Sequence, residues 1–246
     1  MNLIVDIGNS LIKVALVEGS EVIEMQRFAS LGELSKAALW SEYKTIDKAI
    51  VASTSVDTRS VAELLRSRGI KTLEMTQSTP VPIENGYHTP ETLGVDRLAA
   101  AVGAVSVVGL DCLIVDFGSA ITIDLVEDGV FRGGNISPGV AMRFRALHDY
   151  TKRLPECMPT DKILEVGATT QDAIEQGVMQ GITHEIEGYI SHFYAKNVKI
   201  SIIFTGGDAK YFVKRIKNAI FAKYDLVICG LNRILEYNAK FEEENI

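Results

Sequence analysis

A short phrase at the start of this chain is said again near its middle, and no other feature limits the fold as much. Residues 3–8 read LIVDIG and residues 113–118 read LIVDFG, an offset of 116 − 6 = 110. At that offset Leu3, Ile4, Val5, Asp6, Gly8 and Gly19 recur as Leu113, Ile114, Val115, Asp116, Gly118 and Gly129. Each copy predicts an apolar strand ending in Asp, a Gly turn followed by a small polar residue, and a second β-rich run. A 246-residue chain built this way is expected to form two similar halves. An Asp and a Gly turn from each would serve one phosphate–metal site in the cleft between them.

The order of elements supports the duplication. Strands are expected over 3–8, 10–18, 21–28, 47–53 and 71–75, and helices over 31–43, 57–68 and 94–107. Residues 77–92 hold three of the six prolines, Pro80, Pro82 and Pro90, and read as a loop too long for a simple connector. The second half predicts strands at 112–116, 120–127 and 130–135. A helix follows near 138–149, with Ser137 as N-cap and Pro138 as first helical residue. A long helix runs from about 169 to 195. A strand at 199–204, a helix near 207–219, a strand at 225–228 and a helix from 230 complete it. Three strands followed by alternating helix and strand fit an α/β ribonuclease H-like core, once in residues 1–110 and again in 111–246.

Charge and cysteines exclude some functions. The net charge is 25 − 32 = −7, so no basic footprint points to nucleic acid. Cys112, Cys157 and Cys229 are scattered, which argues against a disulfide framework or a zinc site. The N-terminus meets Asp6 without a basic region, unlike a signal peptide. No apolar run approaches the ~20 residues of a membrane span. The expectation is a soluble, cytoplasmic protein that binds phosphate through backbone N–H groups, a metal and local cations.

Four segments could carry that chemistry. In Asp6-Ile7-Gly8-Asn9-Ser10-Leu11-Ile12-Lys13, Gly8 lets backbone and phosphate approach, Asn9 and Ser10 can donate, and Lys13 can offset phosphate charge. Asp6 can hold Mg²⁺ through water. Asp116-Phe117-Gly118-Ser119 repeats the theme. Phe204-Thr205-Gly206-Gly207-Asp208-Ala209 would let a flat ring such as adenosine lie against the backbone. Gly94-Val95-Asp96-Arg97 opens a helix, where an anion is attracted and an Asp stays ionised. Each segment also has a bland reading as a turn or helix start. Thr169 and Thr170 read first as helix caps.

Together these residues resemble the type III pantothenate kinases, in the superfamily of acetate and sugar kinases, actin and heat-shock chaperone ATPases. The resemblance covers most of the chain. It rests on D-x-G-N-S at 6–10, G-V-D-R at 94–97, D-x-G-S-A-x-T-x-D at 116–124, G-G-x-I-x-P-G at 133–139 and T-G-G-x-A at 205–209. It implies transfer of the γ-phosphoryl group of ATP to pantothenate, giving 4'-phosphopantothenate, the first step towards coenzyme A. Residues Asp6 to Lys13 would then hold ATP, with Ser119 also on ATP. Asp116 would bind a monovalent cation, K⁺ or NH₄⁺. Gly94, Val95, Asp96 and Arg97 would line the pantothenate pocket, with Asp96 taking the hydroxyl proton. Tyr87 and Thr170 would add substrate contacts, Thr170 from the partner subunit of a homodimer. Val95 stands where Ala is usual, and Ser10 and Ser119 where Thr is commoner; none removes a chemical group. Two rivals stay open: a kinase of the same fold acting on another alcohol or acid, and a non-catalytic ATP-binding regulatory protein.

Overall fold

The computed structural model describes all residues except 9–10, 38–45, 55–56, 197–198, 218–220, 223–224 and 245–246. Its strands reproduce the repeat. In the first half β1 (Asn2–Ile7), β2 (Ile12–Glu18) and β3 (Glu21–Phe28) form an antiparallel meander. Helix α1 (Leu31–Ser35) precedes β4 (Lys48–Ser53), and α2 (Arg59–Ser67) precedes β5 (Lys71–Glu74). Both strands add in parallel, giving the order β3-β2-β1-β4-β5.

The second half has β7 (Cys112–Phe117), β8 (Ala120–Glu127) and β9 (Val130–Pro138), then helices α4 (Val140–Asp149) and α5 (Thr170–Lys196). Strand β10 (Ser201–Thr205), the short helix α6 (Ala209–Phe212) and strand β11 (Phe221–Ala222) follow. Their sheet order, β11-β10-β7-β8-β9, is the first order over again. The expected duplicated ribonuclease H-like, actin-like ATPase fold is the one observed. In sequence, β6 (Glu84–Asn85) and α3 (Val95–Val108) follow β5 and precede β7, and the last helix is α7 (Leu226–Glu244).

The central strands are apolar and buried on both faces, as parallel pairing requires. Leu3, Ile4 and Val5, and likewise Leu113, Ile114 and Val115, have no exposed surface. Leu3, Val5, Val14, Leu34 and Leu65 belong to one core; Leu113, Phe117, Met179, Ile182 and Phe204 belong to another.

By contacts the chain forms two compact units. One comprises Met1–Val107 with Gly129–Phe131 and Asp225–Ile246; the other comprises Val108–Asp128 and Arg132–Tyr224. The C-terminal helix thus clusters with the N-terminal half, although the repeat divides the sequence at 110/111. Glycine explains how α7 packs there: a Cβ on Gly230 would collide with the carbonyl of Ala99 on α3, and one on Gly103 with the carbonyl of Leu226. A polar network fastens the same helix, with Asn2 Nδ2 donating to Asn232 Oδ1 at 2.8 Å and Asn232 Nδ2 to the Gly19 carbonyl at 2.9 Å.

Three local expectations need correction. Residues 225–228 are not a strand before a helix at 230; they enter α7 directly, because the apolar run is a buried helix turn and Gly230 is a packing contact. Ser137 and Pro138 do not start a helix. Strand β9 runs through Pro138, and Gly139 is the N-cap of α4. The helix expected over 207–219 is confined to Ala209–Phe212 among the described residues. Residues 38–43 of the helix expected at 31–43 lie outside the described residues.

Candidate active site

The first unit gathers charge at the end of β1. Asp6 is only 7% exposed and stands opposite Lys13 in the antiparallel register. Lys13 Nζ lies 3.4 Å from Asp6 Oδ2. Burial raises the proton affinity of Asp6; Lys13 lowers it in part, and the charge of Asp96 raises it again. The Gly8 N–H donates to the Leu11 carbonyl at 3.1 Å and closes the turn. Ile7 and Ile12 are buried in the core and Leu11 is exposed, so these three can serve a phosphate only through backbone. Asn9 and Ser10 lie outside the described residues.

Asp96 sits in the first turn of α3. Its Oδ1 accepts from the Arg97 N–H at 2.8 Å. A Cβ on Gly94 would press against that oxygen, so a larger residue there would push the carboxylate aside. Burial raises the pKa of Asp96, while its hydrogen bond from Arg97 and the charges of Arg97 and Lys13 lower it. Asp6 and Asp96 each sense Lys13, and Asp6 senses Asp96. Two largely desolvated carboxylates and an ammonium therefore share one field, although 90 residues (96 − 6) separate the two acids.

Around them the sequence-expected acceptor residues come together. Val95 is buried, and Arg97 is 8% exposed. The Arg97 guanidinium carbon lies 5.7 Å from the Tyr87 ring centre and 5.9 Å from that of Phe131. Phe131 was not among the expected site residues. It is a single aromatic in a strand, and no local spacing in the sequence links it to Arg97.

The second unit builds a different surround. Asp116 ends β7 opposite Thr122 of β8 and beside Thr205 of β10. The Gly118 N–H donates to the Ala120 carbonyl at 3.2 Å. Two distant glycines press on this turn. A Cβ on Gly206 (φ +89°) would strike Asp116 Oδ1, and one on Gly139 would strike the carbonyls of Gly118 and Ser119. Ser119 is exposed. Gly207 faces open space, which leaves room for a ring but does not identify one.

Thr170 is the first residue of α5 and is not its cap. Thr169 does the capping: its hydroxyl accepts from the Asp172 N–H at 3.0 Å and pairs with the Asp172 carboxylate at 2.9 Å. Thr170 instead lines an open, largely apolar cavity of about 890 Å³ with Ala146, Tyr150, Ala173 and Gly177. Among the described residues, no group of three or more His, Cys, Asp or Glu forms a metal cluster. No helix among them is long and apolar enough to cross a membrane.

Comparison with known proteins identifies a family. A family model described as type III pantothenate kinase matches residues 2–192. A type III pantothenate kinase of Phocaeicola vulgatus is 40% identical over 242 residues, covering 98% of this chain and 100% of the relative. One from Porphyromonas gingivalis (strain W83) is 42% identical, covering 96% and 98%. A solved structure, described as a Baf family transcriptional activator from Campylobacter jejuni, has a TM-score of 0.65 at 22% identity. It covers 97% of this chain, which covers 99% of it, a likeness of fold.

Proposed function

This chain belongs to the type III pantothenate kinase family, and from that premise we propose that it transfers the γ-phosphoryl group of ATP to pantothenate. The product is 4'-phosphopantothenate, which starts coenzyme A synthesis. The observation that carries the reading is the buried Asp6 paired with Lys13 at 3.4 Å in the same unit as the Asp96 carboxylate at the start of α3.

In this reading the primary hydroxyl oxygen of pantothenate bonds to the γ-phosphorus, the bond to the ADP oxygen breaks, and the hydroxyl proton passes to the Asp96 carboxylate. Phosphoryl transfer goes through a loose transition state, so position and charge matter more than base strength. Lys13 offsets phosphate charge, while the backbone of residues 6–13 with Ser119 holds ATP. Gly94 keeps space beside the base, and Val95, Arg97 and Tyr87 border the acceptor.

A cation fits both aspartates. Mg²⁺ suits a site of one or two carboxylates and water, and Asp6 would supply such a carboxylate. Asp116, flanked in register by the hydroxyl-bearing Thr122 and Thr205, offers hard oxygen donors to K⁺ or NH₄⁺. When bound, these ions neutralise phosphate charge. The exposed Thr170 is assigned to the pantothenate pocket of a second subunit in a two-fold dimer, and the enzyme to the cytoplasm.

The deciding experiment incubates the protein with ATP and pantothenate and looks for phosphopantothenate by mass spectrometry. ATP turnover that is indifferent to pantothenate, or product from a different alcohol only, removes the assignment. For the dimer, inactive Asp96→Asn and Thr170→Ala subunits are exchanged. One mixed site is then intact, and about a quarter of wild-type activity should return if sites are shared; no recovery removes the shared site.

A further inference from the structure

Phe131 belongs by sequence to the second repeat, at the tip where β8 turns into β9, yet it packs with the first unit. We propose that Phe131 is a positioning residue for the acceptor pocket: its ring and that of Tyr87 hold the Arg97 guanidinium, while its backbone holds the segment that carries Tyr87. The inference rests on the proposed kinase activity and adds a residue to it.

The ring contact comes first. Phe131 is wholly buried, and its ring centre is 6.1 Å from that of Tyr87 with the planes tilted by 48°. The Arg97 guanidinium carbon is within 6 Å of both ring centres. That is the range in which a cation is attracted to an aromatic ring, more strongly when water is excluded, as at the buried Arg97. A guanidinium is planar and carries its N–H donors in the plane. Rings near it restrict how that plane turns and hence where the donors point.

The backbone contact is independent. Asn85 pairs with Phe131, and the Gly86 N–H donates to the Phe131 carbonyl at 3.0 Å. The Glu84 N–H donates to the Gly129 carbonyl at 3.3 Å. A Cβ on Gly86 would be 3.1 Å from both the Phe131 carbonyl and Val130 Cγ1, so the approach is close. Asn85 Oδ1 then accepts from the Tyr87 N–H at 3.1 Å. Without this pairing, Tyr87 would ride on a proline-rich loop, and ordering it would cost conformational entropy at each binding event. One residue thus fixes two members of the pocket, by ring and by main chain.

The test is a double-mutant cycle on pantothenate affinity, measured by calorimetry. Phe131→Leu keeps a buried apolar side chain and removes the ring; Phe131→Met serves if the Leu variant does not fold. In the otherwise native protein, affinity for pantothenate should fall roughly three- to thirtyfold, with ATP affinity unchanged. In an Arg97→Met background, which has neither the cation nor the planar group, the same change should have little further effect. A fall of equal size in both backgrounds, or no fall, overturns the clamp, because a purely structural role would not depend on Arg97. Failure of the kinase reading looks different: the wild type would make no phosphopantothenate. The Arg97 side-chain Nε–H resonance then decides the clamp alone. A ring-current shift that changes on Phe131→Leu supports it, and an unmoved resonance overturns it.

Discussion

The two Asp-Gly hairpins share their letters and differ in what stands beside the aspartate. Asp6 is flanked in register by Lys13 and Ala52; Asp116 is flanked by Thr122 and Thr205. The turns also differ by one residue, since Gly8 bonds back to Leu11 but Gly118 to Ala120. The second turn is pressed by Gly139 and Gly206 from outside, whereas a Cβ on Gly8 would meet only an ordinary contact at 3.4 Å. Duplication preserved strand order and the aspartate's place in the backbone. The neighbouring charge diverged. One copy carries its own ammonium at Lys13, and the other has the hydroxyl-bearing Thr122 and Thr205 in register; under the proposed function this would suit the first to fixed charge beside Asp96 and the second to a borrowed cation.

The largest effect should come from the acceptor side of the first copy. Asp96→Asn is expected to lower kcat/KM by about 10²–10⁴-fold, with ATP affinity nearly intact by calorimetry. Because burial raises the pKa of Asp96, the wild-type rate should climb with pH through a limb above the ordinary Asp range of 3.8. Turnover within tenfold of wild type would take Asp96 out of the mechanism.

Next, the hairpins can be made alike. Lys13→Thr gives the first aspartate the neighbour of the second. A loss of about 10²–10³-fold is expected, the size seen when one preorganised electrostatic partner is removed, and added K⁺ should not restore it. Rescue by K⁺ would mean that the copies are interchangeable. The reverse exchange, Thr122→Lys, places an ammonium opposite Asp116. Activity should fall by about 10–100-fold, as for a disturbed ligand neighbour, and the response to K⁺ should disappear. A variant that still needs K⁺ as wild type does would separate Asp116 from the cation.

These contrasts were only partly legible in the sequence. The repeat located both aspartates and predicted the order of elements along each half, because β pairing and burial favour the same apolar run in both copies. Lys13 was visible within its motif. Thr205 beside Asp116 was not, since parallel register depends on how β10 docks and not on local spacing. Phe131 was hidden for the same reason. Residues 225–228 were misread because a buried helix loses the polar face that marks a helix; Leu226-Val227-Ile228 is equally at home in a strand. Thr169 and Thr170 looked alike as caps until the hydrogen bonds distinguished them.

The smallest effect concerns stability, and its sign follows from the first copy. Asp6 and Asp96 both have raised pKa values with burial as the leading cause, so each carboxylate binds its proton more tightly folded than unfolded. As pH rises past the unfolded value near 3.8 the unfolded chain releases these protons first, and stability falls until the folded pKa is passed. Burial thus makes ionised Asp6 and Asp96 a cost to the fold, one that the proposed function would oblige it to bear. Asp96→Asn removes one of these charges and keeps an oxygen that can accept from the Arg97 N–H. Tm should therefore rise at neutral pH, by roughly 2–4 °C for each kcal/mol of that cost in a chain of this size, and the gain should vanish at acid pH. Asp172 works oppositely: its pKa is lowered, chiefly by the Lys162 hydrogen bond, and its contribution is lost as pH falls. It lies on the exposed start of α5, outside the first unit, so Asp96→Asn leaves it untouched and the difference between variant and wild type isolates Asp96. Equal Tm for both proteins across the pH range would mean that the first unit neutralises its carboxylates fully, and the contrast with the second copy would then lose its electrostatic basis.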